Sequence, residues 1–196
     1  EVSLELKLIA DVGLLGFPNV GKSSLISVVS QAKPIVGDYH FTTIIPVLGV
    51  VSMGPEKSFV MADIPGLIEG AAEGIGLGHE FLRHVERCRM LVHIVDVAGS
   101  EGRNPIEDFE AINAELEKFN PELAKCPQIV AGNKIDLATE EQLAEFREYI
   151  ESRGYEYYEI VAPIQHNTQE LINAVARKLD TLPPVKFYES EEIPME

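Results

Sequence analysis

Residues 16–23 carry the pattern G-x-x-x-x-G-K-[ST], whose residue types suit the binding of phosphate groups. Gly16 and Gly21 allow backbone amides to converge on phosphate oxygens in conformations that a side chain would hinder. Lys22 supplies a cation for the outer phosphates, and the Ser23 hydroxyl is suited to ligate magnesium. The pattern predicts a nucleotide site. Its predicted phosphate-binding residues are Gly16, Phe17, Pro18, Asn19, Val20, Gly21, Lys22, Ser23 and Ser24.

The segments on either side of this loop support that prediction. Residues 11–15 form an apolar run typical of a buried strand, and residues 24–30 have the character of the first turns of a helix. A helix that starts at the loop adds unpaired N–H groups and the positive end of its dipole. A glycine turn that binds nothing is the alternative, and the order of strand, loop and helix argues against it.

A second motif, D-x-x-G at residues 63–66, ends a predicted strand. Asp63 can reach a magnesium ion through a water, and the amide of Gly66 can approach a terminal phosphate. On its own the same string is ordinary turn chemistry. Its position one strand after the phosphate loop favours a part in the nucleotide site.

A third motif, N-K-x-D at residues 133–136, follows an apolar run. The Asp136 carboxylate can accept two hydrogen bonds from the ring imide and the exocyclic amine of guanine, whereas adenine presents no such pair of donors. The stem of Lys134 can cover the face of the base. A helix-capping loop is the alternative. Given the two preceding motifs, Asp136 predicts that the base is guanine.

Predicted strands and helices alternate along the chain. Apolar runs predict strands at 11–15, 47–51, 58–63, 90–96, 128–132 and 157–161, and residues 1–8 are either a strand or a linker. Apolar spacing and helix-start residues predict helices at 24–30, 77–88, 104–119, 140–152 and 168–181. This alternation predicts a doubly wound α/β domain whose ligand lies at the carboxyl ends of the strands.

Two long connections, residues 31–46 and 64–78, do not fit regular structure. Long loops inside a compact domain are usually functional or disordered. Residues 1–182 are predicted to form one nucleotide-binding domain, and the acidic, proline-containing residues 183–196 have the character of a linker or tail.

Composition is that of a globular protein and predicts a cytoplasmic one. The 196 residues include 16 basic and 32 acidic side chains, for a net charge of −16. A surface this acidic repels nucleic acid and anionic lipid, so no direct nucleic-acid patch is expected. No apolar run approaches the ~18 residues of a membrane span. Cys88 and Cys126 lack metal-ligand spacing, which is typical of reduced thiols.

The order of the three motifs, with a threonine loop between the first two, resembles a small GTPase of the translation-factor-related class. Longer strings resemble the Obg family, and they lie at residues 11–23, 39–43, 63–71, 76–84 and 101–105. The resemblance covers roughly residues 5–182. It implies the P-loop NTPase fold of a Ras-like G domain, with a mostly parallel sheet of six strands and helices on both faces. It also implies binding of GTP and GDP and hydrolysis of GTP with Mg²⁺.

By that resemblance, the two long connections are switches that the triphosphate orders and hydrolysis releases. Thr43 is expected to ligate magnesium beside Ser23, although a solvated loop pair is the alternative for Thr42 and Thr43. The expected switch residues are Phe41, Thr42, Thr43, Ile44, Ile45, Asp63, Ile64, Pro65 and Gly66. The expected guanine-binding residues are Asn133, Lys134, Ile135, Asp136, Val161, Ala162 and Pro163.

The last of these segments departs from the family pattern. Where the family has a Ser-Ala pair, this chain has Val161-Ala162-Pro163. Backbone donation from Ala162 to the guanine carbonyl survives the change, whereas Val161 has no hydroxyl and Pro163 has no N–H. Affinity is therefore expected to be modest, with specificity resting on Asp136.

The sequence identifies no catalytic base. Leu67 stands where many GTPases have a glutamine that orients the attacking water, so the intrinsic rate is expected to be low. In several related GTPases an asparagine at the position of Asn19 ligates potassium, which makes K⁺ a candidate cofactor; tolerance of a turn conformation is the alternative. Surface ion pairs are predicted for Arg83, Arg87, Arg89 and Arg103, with charge stabilisation as the alternative. Packing or surface roles are predicted for His40, His79 and His84, with contact to phosphate or water as the alternative.

The expected function is a GTP-hydrolysing switch. The family is associated with assembly of the large ribosomal subunit, which implies ribosomal particles as partners. The resemblance also implies a glycine-rich N-terminal domain and often a C-terminal extension, both expected to be absent from this chain. A sensor that binds GTP and GDP with negligible hydrolysis is an alternative because of Leu67. An ATPase of a sister branch would require the loss of Asp136.

Overall fold

The computed structural model describes residues 10–31, 35–36, 47–55, 57–63 and 88–183. Three predicted segments lie outside the described residues: the strand or linker at 1–8, residues 77–87 of the predicted helix 77–88, and the tail from residue 184. Both predicted switches fall largely outside them as well, including Thr42 and Thr43.

Seven strands form one sheet in the order β2-β3-β4-β1-β5-β6-β7. β1 pairs in parallel with β4 and β5, and β6 pairs in parallel with β5 and β7, whereas β3 runs antiparallel to β4. The strands are β1 Val12–Leu15, β2 Ile35–Val36, β3 Val47–Ser52, β4 Ser58–Asp63, β5 Met90–Asp96, β6 Gln128–Asn133 and β7 Glu156–Glu159. The two-residue β2 lies in a stretch predicted to be irregular and adds an antiparallel edge to the six predicted strands.

Five α-helices are described: α1 Lys22–Val29, α2 Pro105–Phe119, α3 Pro121–Ala124, α4 Glu140–Ser152 and α5 Thr168–Thr181. Their starts follow from local chemistry. The Asn104 side chain caps α2 by accepting from the backbone N–H groups of Ile106 and Glu107, and a capping box of Thr139 and Gln142 starts α4. Two short 3₁₀ helices, Ile135–Leu137 and Ala162–Ile164, follow β6 and precede α5.

Helices cover both faces of the sheet, which confirms the predicted fold class. On one face α1 and α5 pack against the strands with Leu25 and Leu171 among the buried side chains. On the other face α2 and α4 do so with Phe109 and Phe146. All seven residues of β5 are buried because both of its faces are covered.

Arg89, the residue before β5, connects the start of this strand to the end of α5, whereas the sequence predicts only a surface ion pair for it. Its guanidinium pairs with Asp11 at 3.4 Å and also donates to the carbonyl oxygens of Leu179 at 2.7 Å and Leu182 at 2.8 Å. These carbonyls belong to the last turn of α5 and to the residue that follows it, where backbone acceptors lack helical partners. Arg89 thus satisfies the helix terminus.

No helix in the described parts of the chain combines the length and apolar character that crossing a bilayer requires.

Candidate nucleotide-binding site

The predicted phosphate loop joins β1 directly to α1 at the carboxyl edge of the sheet. Gly16 has φ 145° and Gly21 has φ 106°, both in the region that glycine adopts without steric cost. A Cβ atom on Gly16 would contact the carbonyl oxygen of Ile94, and one on Gly21 would contact the amide of Asn133. The two glycines are therefore required both by backbone conformation and by close packing.

Lys22, the first residue of α1, folds back over this loop. Its Nζ donates to the carbonyl oxygens of Gly16 at 2.8 Å and Phe17 at 2.9 Å. The residue is only 9% exposed, and burial lowers its pKa although the neighbouring Asp63 opposes the shift. A cation is thus held against the loop that the sequence predicts to bind phosphate.

Asp63 ends β4 and faces the start of α1. Its Oδ2 accepts from the Ser23 hydroxyl at 3.4 Å, and its Oδ1 lies 4.0 Å from the Lys22 Nζ. Burial raises the pKa of this carboxyl, with Lys22 and Ser23 acting in the opposite direction. Its Oδ1 is buried and has no hydrogen-bond partner among the described residues. Hydroxyl and carboxylate oxygens are ligands that suit Mg²⁺, directly or through water.

Asn133, the last residue of β6, joins three segments of the site. Its Nδ2 donates to the carbonyl oxygen of Val20 at 2.7 Å, and its Oδ1 accepts from the backbone N–H of Ala162 at 3.0 Å. The residue is 1% exposed. The N–H of Ala162, predicted to contact guanine, therefore binds Asn133 in this structure.

Lys134 follows at once, with φ 62° in the left-handed region. Its Nζ pairs with Asp96 Oδ2 at 2.8 Å and with the Ser100 hydroxyl at 2.9 Å. Although burial raises the pKa of Asp96, the hydrogen bonds from Lys134 and Ser100 outweigh it and leave that pKa below its ordinary value. Lys134 is therefore held at its backbone and at its charged end.

The remaining predicted base contacts lie around these two residues. Ile135 and Asp136 lie in the 3₁₀ helix after β6, and Asp136 is exposed. Val161 is buried beside the buried Ala162, whereas Pro163 is exposed. β7 ends at Glu159, two residues earlier than predicted.

The loop between β5 and α2 brings two contacts to the phosphate loop that the sequence does not predict. Asn19 Nδ2 donates to Glu101 Oε1 at 2.8 Å. The Arg103 guanidinium lies 4.4 Å from the ring centroid of Phe17, a cation–π contact, and also pairs with Asp108 at 2.9 Å. The sequence indicates this loop only through the string at residues 101–105, which contributes to the family resemblance but predicts no contact with the phosphate loop.

The expected switch residues Phe41, Ile44, Ile45, Ile64, Pro65 and Gly66, and also Leu67, lie outside the described residues. The same holds for Arg83, Arg87 and the histidines at 40, 79 and 84. Their roles stay predictions.

Comparison with protein families gives a match to 50S ribosome-binding GTPase over residues 11–134. The chain is 58% identical to GTPase Obg of Acetivibrio thermocellus over 93% of this chain and 43% of that protein. It is 54% identical to GTPase Obg of Clostridioides difficile over 98% of this chain and 45% of that protein. The chain thus spans less than half the length of these relatives, and the predicted resemblance is confirmed.

Solved structures show the same fold at low identity. The G domain of the Thermotoga maritima FeoB iron transporter matches with a TM-score of 0.63 and 20% identity, covering 89% of this chain and 100% of that one. Translation elongation factor SelB from Methanococcus maripaludis, in complex with the GTP analogue GppNHp, matches with a TM-score of 0.63 and 16% identity. That match covers 95% of this chain and 37% of the SelB chain.

Proposed function

Since this chain belongs to the Obg family of GTPases, we propose that it binds GTP and GDP and hydrolyses GTP to GDP and phosphate as a molecular switch. The observation that carries the proposal is the double hydrogen bond of Asn133, at 2.7 Å to Val20 and 3.0 Å to Ala162. It joins the phosphate loop to both segments predicted to contact guanine. A single nucleotide could therefore contact all three segments at once.

At the phosphate end, the loop amides and the start of α1 present N–H groups, and Lys22 presents a cation. Ser23 and Asp63 supply the oxygen atoms that fit Mg²⁺, with Thr43 as the further ligand that the family resemblance implies. When bound, Mg²⁺ would neutralise charge on the outer phosphates. Within the chain itself, two backbone carbonyls fix the Lys22 ammonium, and so hold its charge at the loop that is predicted to bind phosphate.

At the base end, Asp136 discriminates guanine from adenine by accepting from two donors that adenine lacks. Its exposure leaves the carboxylate available to a ligand. Lys134 contributes its stem to the face of the base. Val161 and Pro163 supply neither a hydroxyl nor an N–H, so we propose that affinity is modest while specificity rests on Asp136.

Hydrolysis is proposed to be slow, because Leu67 cannot orient a water by hydrogen bonding. Asn19 is proposed to ligate K⁺ beside the phosphates and so to supply the positive charge that an arginine would otherwise bring. In this structure its Nδ2 faces Glu101, which leaves Oδ1 as the atom available for a cation. A GTP and GDP sensor with negligible hydrolysis is the second candidate function, and Leu67 is the residue that favours it.

Ribosomal particles are the proposed partners, by analogy with the description of the family that the chain matches. The net charge of −16 opposes direct contact of this domain with RNA. Contact is therefore proposed to run through parts of the longer relatives that this chain does not span. A cytoplasmic location is proposed on the same analogy.

Release of phosphate from GTP under multiple turnover, in potassium and in sodium, tests the proposal. Lys22→Ala is expected to abolish turnover. The control is Lys57→Ala, because Lys57 lies in the β3–β4 hairpin and forms an exposed ion pair with Asp180. This control variant is expected to retain turnover. Binding of labelled GDP without turnover in either salt would favour the sensor. Equal competition by ATP and GTP for the labelled GDP would contradict guanine specificity.

A further inference from the structure

Asp96, the last residue of β5, is a buried carboxylate at the carboxyl edge of the sheet and is 5% exposed. Its Oδ2 accepts from the Lys134 ammonium at 2.8 Å, from the Ser100 hydroxyl at 2.5 Å and from the Ser100 backbone N–H at 3.2 Å. Its Oδ1 has no hydrogen-bond partner within the described part of the chain. Lys134 is therefore the cation that compensates this buried charge.

Asp96 and Asn133 are directly opposite each other in the parallel pairing of β5 with β6. The Val97 N–H donates to the Asn133 carbonyl at 3.1 Å, so the two strand ends are fixed relative to each other. Lys134 leaves β6 at this point. Its backbone and its Asp96 partner thus belong to one rigid frame.

Between these two fixed points runs the aliphatic stem of Lys134. A free lysine side chain retains rotamer entropy, which an ordering contact must overcome. Here the ammonium has two hydrogen-bond partners and the backbone is held at φ 62°. Such a left-handed conformation persists at a non-glycine residue only when its surroundings determine it. The stem is consequently ordered before any base arrives.

We propose that Asp96 is a positioning residue for base recognition: by holding the ammonium of Lys134, it sets the lysine stem as a preformed wall of the guanine pocket. This inference rests on the proposed function. Asp96 and Ser100 order the Lys134 side chain in the folded chain, so its conformational entropy is already lost before the base binds. Affinity for the base therefore rises without any contact between Asp96 and the nucleotide. Asp96 would act on the base end of the ligand and leave the phosphate end untouched.

The alternative is an ion pair that only stabilises the fold. Both explanations predict that Asp96→Asn lowers stability, so stability alone does not separate them. They differ in two readouts. A positioning role acts through Lys134, so its effect disappears once the lysine stem is removed, and it spares a ligand that has no base.

The test measures dissociation constants for Mg-GDP and for Mg-tripolyphosphate, a ligand with phosphates but no base. Asp96→Asn is expected to weaken GDP binding about tenfold and to leave tripolyphosphate binding within about twofold. Lys134→Ala is expected to weaken GDP binding by a similar factor, and the double variant to be no weaker than Lys134→Ala alone. Asp108→Asn is the matched control, because this buried carboxylate accepts from Arg103 instead of Lys134 and its effect should add to that of Lys134→Ala.

Additive effects of Asp96→Asn and Lys134→Ala, or equal weakening of GDP and tripolyphosphate by Asp96→Asn, would overturn the inference. If Asp96→Asn does not fold, Ser100→Ala removes one of the two contacts to the ammonium and is expected to weaken GDP binding about threefold. Unchanged GDP affinity in that variant would also overturn the inference. Failure of the wild-type chain to bind GDP would instead overturn the proposed function, and the inference with it.

Discussion

The side-chain amide of Asn133 donates to the carbonyl oxygen of Val20 at 2.7 Å, joining residues 113 positions apart in the chain. The oxygen of the same amide accepts from the backbone N–H of Ala162. One partner is a pure acceptor and the other a pure donor, so the two ends of the amide are not interchangeable. A carboxylate or an aliphatic group of similar size cannot make both bonds. These two hydrogen bonds therefore require an amide side chain at position 133, whether or not a nucleotide binds.

Asn133→Asp is expected to lower the free energy of unfolding by about 3 kcal/mol, because it places a buried acceptor against the Val20 carbonyl. Urea unfolding monitored by circular dichroism measures this loss. GDP affinity, measured by titration under native conditions, is expected to fall in the same variant since the phosphate loop loses its tie to β6. Asn113→Asp, whose partly buried amide contacts Phe109 and Gln128 away from the site, is the control for affinity. Unchanged affinity in Asn133→Asp would contradict a role for the joint in binding.

Gly21→Ala is expected to weaken nucleotide binding strongly, because its Cβ would meet the amide of Asn133 and its φ is 106°. The backbone strain alone is worth about 1–2 kcal/mol. Gly54→Ala is a matched control, since Gly54 has φ 128° in the hairpin turn but a Cβ atom there would meet no other atom within 4 Å. Both variants should lose stability, and only Gly21→Ala should lose GDP affinity. Equal GDP affinity in the two variants would show that the clash between a Cβ atom at position 21 and Asn133 does not affect GDP binding.

Sequence patterns predict the elements that carry the site because these depend on local periodicity. β5 is a continuous apolar run, and α4 and α5 have the bounds expected from their starts and apolar spacing. The phosphate loop and Asn133 are likewise recognisable, because each directly follows or ends a strand of that kind. Their meeting at one edge of the sheet follows from the parallel pairing of β1, β5 and β6.

The contacts from the β5–α2 loop could not be predicted in this way. Gly99 at φ 58° and Gly102 at φ 76° turn this loop so that Glu101 reaches Asn19, which lies 82 positions earlier. Nothing in local periodicity specifies the direction of such a turn. For the same reason a charged residue such as Arg103, predicted to pair at the surface, also stacks on Phe17. The pair Asp96–Lys134 depends on the register between two strands, which composition does not encode.

His93→Phe is expected to flatten the dependence of stability on pH. His93 is 1% exposed and stacks on Phe109 at 4.8 Å, and burial, with a smaller contribution from Lys22, lowers its pKa from 6.5 to about 3. The unfolded chain therefore binds a proton between these values that the folded chain does not. The free energy of unfolding should fall as pH falls below 6.5, by up to about 1.4 kcal/mol per pH unit.

Urea unfolding at pH 7.5, 6.5 and 5.5 measures this slope, in a window above the range where most carboxyl groups titrate. Substitution of the exposed His166 by Asn provides the control and should leave the contribution of His93 in place. If the free energy of unfolding of His93→Phe depends on pH as steeply as that of the wild type, His93 does not cause the pH dependence.

Glu101→Ala is expected to reduce potassium stimulation of GTP hydrolysis. The Glu101 carboxylate only accepts, so its contact at 2.8 Å fixes the nitrogen of the Asn19 amide toward it and reserves the amide oxygen for a cation. Without Glu101 the amide rotates freely, and the potassium concentration for half-maximal rate should rise about fivefold, the effect of losing one hydrogen bond of about 1 kcal/mol. Glu101→Gln retains an acceptor oxygen and should keep most of the stimulation, while Asn19→Ala should remove it. The rate in sodium should stay the same in the two Glu101 variants. Equal half-maximal potassium concentrations for the wild type and Glu101→Ala, with stimulation lost in Asn19→Ala, would show that Asn19 acts without Glu101.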